Sequence, residues 1–354
     1  MNIRKKFLEL TKWTYPFGTE HLFEKYLPKG IKKDEFGNYY LKCNPNNEKI
    51  DTIFTSHIDT ACKKYQKVKH LETKKLIFSR NSILGADNKA GVTIMLYMIE
   101  NKIPGLYYFF IGEEVGRIGS RWAAIYKNFE NYKKVISFDR KGKESLVTFQ
   151  SKYRSCSNMF ADNLINLYSK HGINLKKDPN GSATDSKSFM EIIPECTNIS
   201  VGYNNQHTIE EYIDIEFLEK IAKASLKIEW NKLKVYRDPC RKEKKFNDNV
   251  AYGYKNHYNG SGSGSDNTHH DHHKYEYNYP TSLESQSYEK YLNSDKLKIK
   301  NPFNKDINKL LNINKKNNLN KKIKDFKYLR PFREKLLFGL SLKEKRKIKK
   351  KYLL

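Results

Sequence analysis

Residues 50–59, IDTIFTSHID, decide how this chain is read. An apolar, β-branched run ends in an HxD pair, so a strand would deliver a histidine and an aspartate to its carboxyl end. Four similar runs follow: LYYFFIGEE at 106–114, KVISFDR at 134–140, SLVTFQSK at 145–152 and CTNISVGY at 196–203. Helical patterns lie between several of them, namely GVTIMLYMIEN at 91–101, SRWAAIYKNFENY at 120–132, SNMFADNLINLYSKHG at 157–172, and a last stretch from Asp214 to Leu233. This alternation predicts an α/β three-layer sandwich, with a mixed, mostly parallel central sheet covered by helices. Sheets of that kind bind ligands at the carboxyl ends of their strands.

The remainder of the 354 residues has a different character. Of the net charge of +27, residues 1–235 carry +11 and residues 236–354 carry +16. The expected division is a globular domain over 1–235, a low-complexity linker over 236–295 and a Lys/Asn-rich tail over 296–354, disordered or weakly helical. Such a tail would attract polyanions, nucleic acid included, without regard to sequence. Lys, Asn, Ile and Tyr are also the residues that an AT-rich genome favours, which accounts for much of the bias. Within the linker, His269, His270, His272 and His273 are a metal-competent set without a scaffold, and are read as filler. The five cysteines are scattered and include no CxxC, which excludes a disulfide framework and a thiolate zinc site and suits a reducing compartment. No apolar run reaches the roughly 18–20 residues of a membrane span. The N-terminus has no apolar signal core. A soluble, cytoplasmic protein without membrane contact is the expectation.

Polar residues stand where the apolar runs end. His57 and Asp59 lie two residues apart and so share a face, which lets one bind a metal while the other orients its ring. Asp87 sits in LGADNKAG, a turn entering a helix, where a carboxylate can bridge two cations. Glu113 and Glu114 follow an apolar strand. Two adjacent carboxylates there are costly unless something neutralises them. Asp139 ends KVISFD, and His207 lies in VGYNNQHT ahead of the last helix. Singly these are weak signals, because a strand-end histidine is ordinarily satisfied by backbone and a glutamate pair is ordinarily solvated. Their order, each after an apolar run, is hard to obtain by chance.

SHIDT, GADNKAG, GEEVG, VISFD and the late His207 resemble the co-catalytic zinc aminopeptidases and their relatives, the tripeptidases and acyl-amino-acid deacylases. The resemblance spans about residues 10–228 and includes TYPFGTEHLFEKYLPKG and DEFGN, where family members have a helix and then a strand. Some relatives insert a domain between the aspartate ligand and the final histidine, or between the first histidine and the bridging aspartate. Here those intervals are 68 and 30 residues, which matches the compact single-domain branch.

The resemblance implies that His57 and Asp139 hold one zinc, that Glu114 and His207 hold a second, and that Asp87 bridges them. Glu113 would be the general base, and Asp59 would fix the tautomer of His57. Cobalt or manganese also suits such mixed nitrogen and oxygen donors. The segment NGSATDSKSFM resembles a turn near the family's active site. Thr184 and Asp185 would there meet substrate or the ligands, or else simply cap a helix. Arg140 would meet a substrate carboxylate or pair with a neighbouring acid, and Tyr203 is not assigned as an oxyanion donor. The implied activity is an exopeptidase acting on N-terminal peptide bonds. Hydrolysis of a small amide or an N-acyl amino acid stays open, as does an inactive scaffold whose tail binds nucleic acid. Oligomeric state is not legible.

Overall fold

The computed structural model describes residues 1–244. The linker beyond 244, the four clustered histidines and the basic tail lie outside the described residues. In chain order the strands are β1 (Lys32–Lys33), β2 (Tyr39–Cys43), β3 (Thr52–His57), β4 (His70–Glu72), β5 (Leu76–Ser79), β6 (Gly105–Phe110) and β7 (Lys134–Arg140). After them come β8 (Ser145–Val147), β9 (Phe149–Gln150), β10 (Tyr153–Arg154), β11 (Lys176–Asp178), β12 (Glu195–Ser200), β13 (Tyr203–Asn204) and β14 (Tyr212–Asp214). The helices are α1 (Ile3–Leu10), α2 (Ala86–Glu100), α3 (Ile118–Tyr126), α4 (Asn158–Ser169) and α5 (Ile215–Ser225).

Eight strands form one sheet in the order β1-β2-β6-β3-β7-β12-β8-β11. Its centre is parallel, with β3 between β6 and β7 and β12 beside β7, and antiparallel pairings enter at β2 and β8. Both β3 and β6 are buried along their whole length, as expected of strands covered on both faces. Successive side chains alternate between two cores. Phe54, Tyr107, Phe109, Ile136 and Phe138 face the layer of α1, α2, α4 and α5, while Ile53, Tyr108, Phe110 and Val135 face α3 and the 3-10 turn at Asp185–Phe189. The three-layer, mostly parallel sandwich is the fold that the sequence pattern predicts.

Close packing sets where α2 begins. A Cβ on Gly91 would lie 2.0 Å from the Phe138 carbonyl oxygen and 2.4 Å from Ser56 Oγ. Only glycine lets the helix press onto the ends of β3 and β7, and this carries the first turn of α2, with Asp87, to the strand ends.

Several elements differ from expectation. The last helix ends at Ser225 and not Leu233. The chain then turns through a 3-10 segment at Trp230–Lys232, because the Trp230 ring packs edge-on against Phe54 and its Nε1 donates to Ser225 O at 3.1 Å. The third helix runs 118–126 rather than 120–132, and SLVTFQSK breaks into β8 and β9. TYPFGTEHLFEKYLPKG forms a 3-10 helix at Glu20–Tyr26, and DEFGN is the turn joining β1 to β2, its Asp34 carboxylate accepting from the amides of Phe36, Gly37 and Asn38. The four-stranded antiparallel sheet β13-β14-β5-β4 was not anticipated. It uses much of the 57–87 interval, so no inserted domain lies there. Among the described residues no helix is long and apolar enough to cross a membrane.

Residues 236–244, read as the start of the linker, lie at the surface and are tied to the domain by hydrogen bonds and ion pairs. The amides of Tyr236 and Arg237 donate to the buried Glu195 carboxylate at 2.8 and 3.0 Å. The Arg237 guanidinium donates to the carbonyls of Met190, Ile193 and Pro194, and Glu243 pairs with Arg154. Arg237→Ala leaves three carbonyls without this donor and is expected to cost about 2–3 kcal/mol. Equilibrium denaturation of the variant beside the parent checks it.

Candidate metal centre

The carboxyl ends of β6, β3 and β7, adjacent and parallel, deliver most of the polar residues. His57 is the last residue of β3, Asp59 lies two further on, and Asp139 is the penultimate residue of β7. Glu113 and Glu114 follow β6 in the turn that enters α3. Asp87 is in the first turn of α2, where its φ and ψ are not helical. His207 lies between β13 and β14 with φ 66°, its side chain about half exposed.

These seven side chains converge. His57 Nε2 is 3.1 Å from Asp87 Oδ1 and 3.6 Å from Asp139 Oδ1. His207 Nε2 is 3.2 Å from both Asp87 Oδ2 and Glu114 Oε2. Two groups, His57–Asp87–Asp139 and Asp87–Glu114–His207, each offer ligand atoms within 4.8 Å of one another, and Asp87 belongs to both. Donors at roughly 2.0–2.1 Å around a tetrahedral ion stand about 3.3–3.4 Å apart, so these separations fit a zinc-sized ion. The chemistry of the set, two imidazoles and three carboxylates, fits as well. So does Glu114 Oε1, a buried acceptor with no hydrogen-bond partner among the described residues.

A second ring of contacts fixes these groups. Asp59 has its Oδ1 3.2 Å from His57 Nδ1, and its two oxygens accept from the amides of Glu113 and Glu114 at 3.2 and 3.0 Å. One carboxylate thereby lies beside the β3 histidine and pins the turn after β6. Asp139 accepts from the Thr184 hydroxyl, and the Tyr203 hydroxyl donates to its carbonyl oxygen and Oδ1 at 3.0 and 3.2 Å. Thr184 therefore acts on Asp139 as well as preceding a helical turn, and Tyr203 is engaged by that aspartate. Arg140 pairs with Asp178 at 2.7 Å.

Two buried residues that sequence reasoning passed over complete the ring. Glu211 accepts from the amides of Gly85 and Asp87 at 2.7 and 2.8 Å, which ties the strand following the His207 loop to the turn presenting Asp87. Nothing in HTIEEY distinguishes Glu211 from the exposed Glu210 beside it. Lys89 Nζ donates to Asp59 O and Thr60 Oγ1, each at 2.9 Å, and lies over the Tyr15 ring.

Crowding shifts the titrations. Burial, with Asp139, Asp185 and Glu114 nearby, pushes Glu113 well above the usual carboxylate range. Burial pushes Asp185 up to about 7 and Glu211 up to about 8. Burial also opposes ionisation of Asp87, but hydrogen bonds from His207 and His57 outweigh it and hold this carboxyl low. Hydrogen bonds to Asp87 and Glu114 push His207 up to about 11. Burial lowers Lys89.

No protein-family model matches the sequence, and no curated protein sequence matches it. Solved structures do match in fold. The aminopeptidase PepT of Bacillus cereus aligns with a TM-score of 0.55 and 17% identity over 63% of this chain and 96% of that one. A tripeptidase of Staphylococcus aureus aligns at 0.52 and 18%, over 64% and 96%. The TET1 peptidase of Pyrococcus horikoshii, which can assemble into a tetrahedron or a large octahedral shell, aligns at 0.50 and 15%, over 64% and 98%. The described residues have the fold of these aminopeptidases and tripeptidases, the fold that the motif resemblance implies.

Glu211→Gln replaces one acceptor oxygen by a donor and leaves the Gly85 or Asp87 amide without a partner. It is expected to weaken zinc binding by about 10–100-fold, measured by competition with a chelator. His207 must also lose its proton to ligate. With His207 pushed up to about 11, zinc affinity should therefore rise with pH throughout the range below that value, and binding should release protons, read by calorimetry in buffers of different ionisation enthalpy.

Proposed function

We propose that this chain is a metal-dependent exopeptidase, an aminopeptidase that hydrolyses N-terminal peptide bonds with two zinc ions and Glu113 as general base. One observation carries the reading: Asp87 turns Oδ1 to His57 and Oδ2 to His207, so two ligand groups share a single carboxylate. His57 and Asp139 would hold one ion, Glu114 and His207 the other, with Asp87 between. Bound there, the ions would supply Lewis acidity, polarising a scissile carbonyl and making a water acidic enough to ionise near neutrality.

The chain's own residues do the rest. Asp59 holds His57 in the tautomer that presents Nε2 to the centre and fixes the main chain from which Glu113 projects. Glu113 lines the cleft beside the ligands. Its raised proton affinity suits a group that takes a proton from water and returns it to the leaving amine. Thr184 and Tyr203 keep Asp139 in place, and Glu211 does the same for the turn of Asp87.

Glu113→Gln is expected to keep both metals and to lose about 10²–10⁴-fold in kcat, because an amide cannot carry the proton. His57→Ala or Asp87→Ala should lose metal as well. A panel of aminoacyl reporter substrates beside N-acetyl amino acids, run with zinc, tests the activity. Near-normal kcat in Glu113→Gln would remove the base assignment, and turnover of the N-acetyl compounds alone would remove the aminopeptidase.

A further inference from the structure

A strongly basic strip lies outside the cleft. Residues 60–81 contain seven Lys and Arg residues and a single acid, Glu72, which pairs with Arg4. Backbone contacts gather the strip onto one surface. Thr14 N donates to Gln66 O and Val68 N to Lys12 O, each at 3.0 Å, and Trp13 bridges Lys67, so residues 12–14 run antiparallel beside 66–68. Arg80 N donates to Lys69 O at 2.9 Å, and the Asn81 side chain holds Lys67 O and Lys69 N at 3.1 and 2.9 Å. Burial alternates along this run as in a strand: Val68 is buried and Gln66 half-buried, whereas Tyr65, Lys67 and Lys69 are exposed. Lys12, Lys63, Lys64 and Arg80 are exposed at its borders. Among the described residues none of these six cations pairs with an acid.

An aromatic pair sits inside the strip. Trp13 and Tyr65 stack with centroids 5.0 Å apart and planes 4° apart, and the Tyr15 ring meets Tyr65 edge-on at 5.6 Å. Tyr65 is thus held in place, yet it stays 37% exposed. An acidic polypeptide or an anionic membrane would use the charge and leave the ring idle. Cations interleaved with a fixed, exposed aromatic are the combination that holds a single nucleic-acid strand, whose phosphates follow the charge and whose bases stack on rings. A duplex keeps its bases inside and offers the ring nothing.

We infer that the surface of Lys12, Lys63, Tyr65, Lys67, Lys69 and Arg80 binds single-stranded nucleic acid, with phosphates along the cations and a base against Tyr65. This surface belongs to the folded domain and is separate from the basic tail. It does not depend on the peptidase reading.

The test is fluorescence anisotropy of the full chain over a range of salt, with a labelled thymidine strand of about 20 nucleotides, an abasic strand of the same length and phosphatidylserine vesicles. Tyr65→Ala should weaken binding of the thymidine strand about tenfold and leave the abasic strand unchanged, while Tyr65→Phe, which keeps the ring, should bind as the parent does. Replacing Lys63, Lys64, Lys67 and Lys69 by Gln should make the slope of log K against log salt shallower by about 2–3, at roughly 0.7 per phosphate contact on a single strand. That variant changes exposed side chains only, so it decides the matter even if Tyr65→Ala does not fold. An iodouracil-substituted strand irradiated on the full chain should leave an adduct on Tyr65 in peptide mapping. The tail is itself basic and accounts for the affinity that these changes leave. Adducts confined to residues 245–354, or a four-lysine variant with the parent's affinity and salt slope, overturn the inference. Vesicle binding that the four-lysine variant loses, with thymidine binding unchanged, also overturns it and assigns the strip to a lipid surface.

Discussion

Repulsion among confined carboxylates is the constraint on which the rest of this structure depends. Asp59, Asp87, Glu113, Glu114 and Asp139 meet at the ends of three neighbouring strands, and Asp185 and Glu211 are buried close behind. Burial, reinforced by neighbouring carboxylates, drives Glu113, Asp185 and Glu211 toward their neutral forms, while His207 is drawn strongly toward its charged one. The side chains of His57, His207 and Lys89 supply part of the answering positive charge. A buried cluster of this kind is costly without more of it, and under the proposed function a pair of divalent ions would supply that charge where the candidate ligand atoms converge.

The sheet makes the convergence geometric rather than accidental. Parallel neighbours β6, β3 and β7 end on the same side, so residues far apart in sequence arrive within a few ångströms of each other. The remaining positions come from tight packing and from hydrogen bonds that join one ligand-bearing segment to the next. Gly91 lets α2 approach the strands, Asp59 ties the end of β3 to the turn after β6, and Glu211 ties the strand after the His207 loop to the turn of Asp87. Each tie uses a buried carboxylate as an acceptor for backbone amides, so polar groups are satisfied and ligand-bearing segments are fixed by the same contacts.

The central strands were legible in the sequence because β3, β6, β7 and β12 are short runs rich in apolar or β-branched residues, and most of the ligand candidates because they stand at or just beyond the ends of such runs. Elements whose form depends on distant contacts were not legible. The turn at Trp230 exists because an indole fits against Phe54 across the sheet, which no local periodicity encodes. The strands of the small antiparallel sheet are two to four residues long, too short to show alternation. At the site, Lys89 reads as an ordinary helix lysine beside Asp87, yet it is fully buried with its ammonium on Asp59 O. Glu211 and Tyr203 act through main-chain and side-chain contacts formed only on folding. Polar composition likewise gives no sign of the hydrogen bonds by which Glu195 and Arg237 tie residues 236 and 237 to the domain.

Anomalous diffraction from crystals soaked in zinc, collected on either side of the zinc absorption edge, bears most directly on the central claim. The account predicts two peaks, one on each side of the Asp87 carboxylate, the first in contact with His57 and Asp139 and the second with Glu114 and His207. A single peak, or density that leaves Asp87 touching at most one ion, would contradict it.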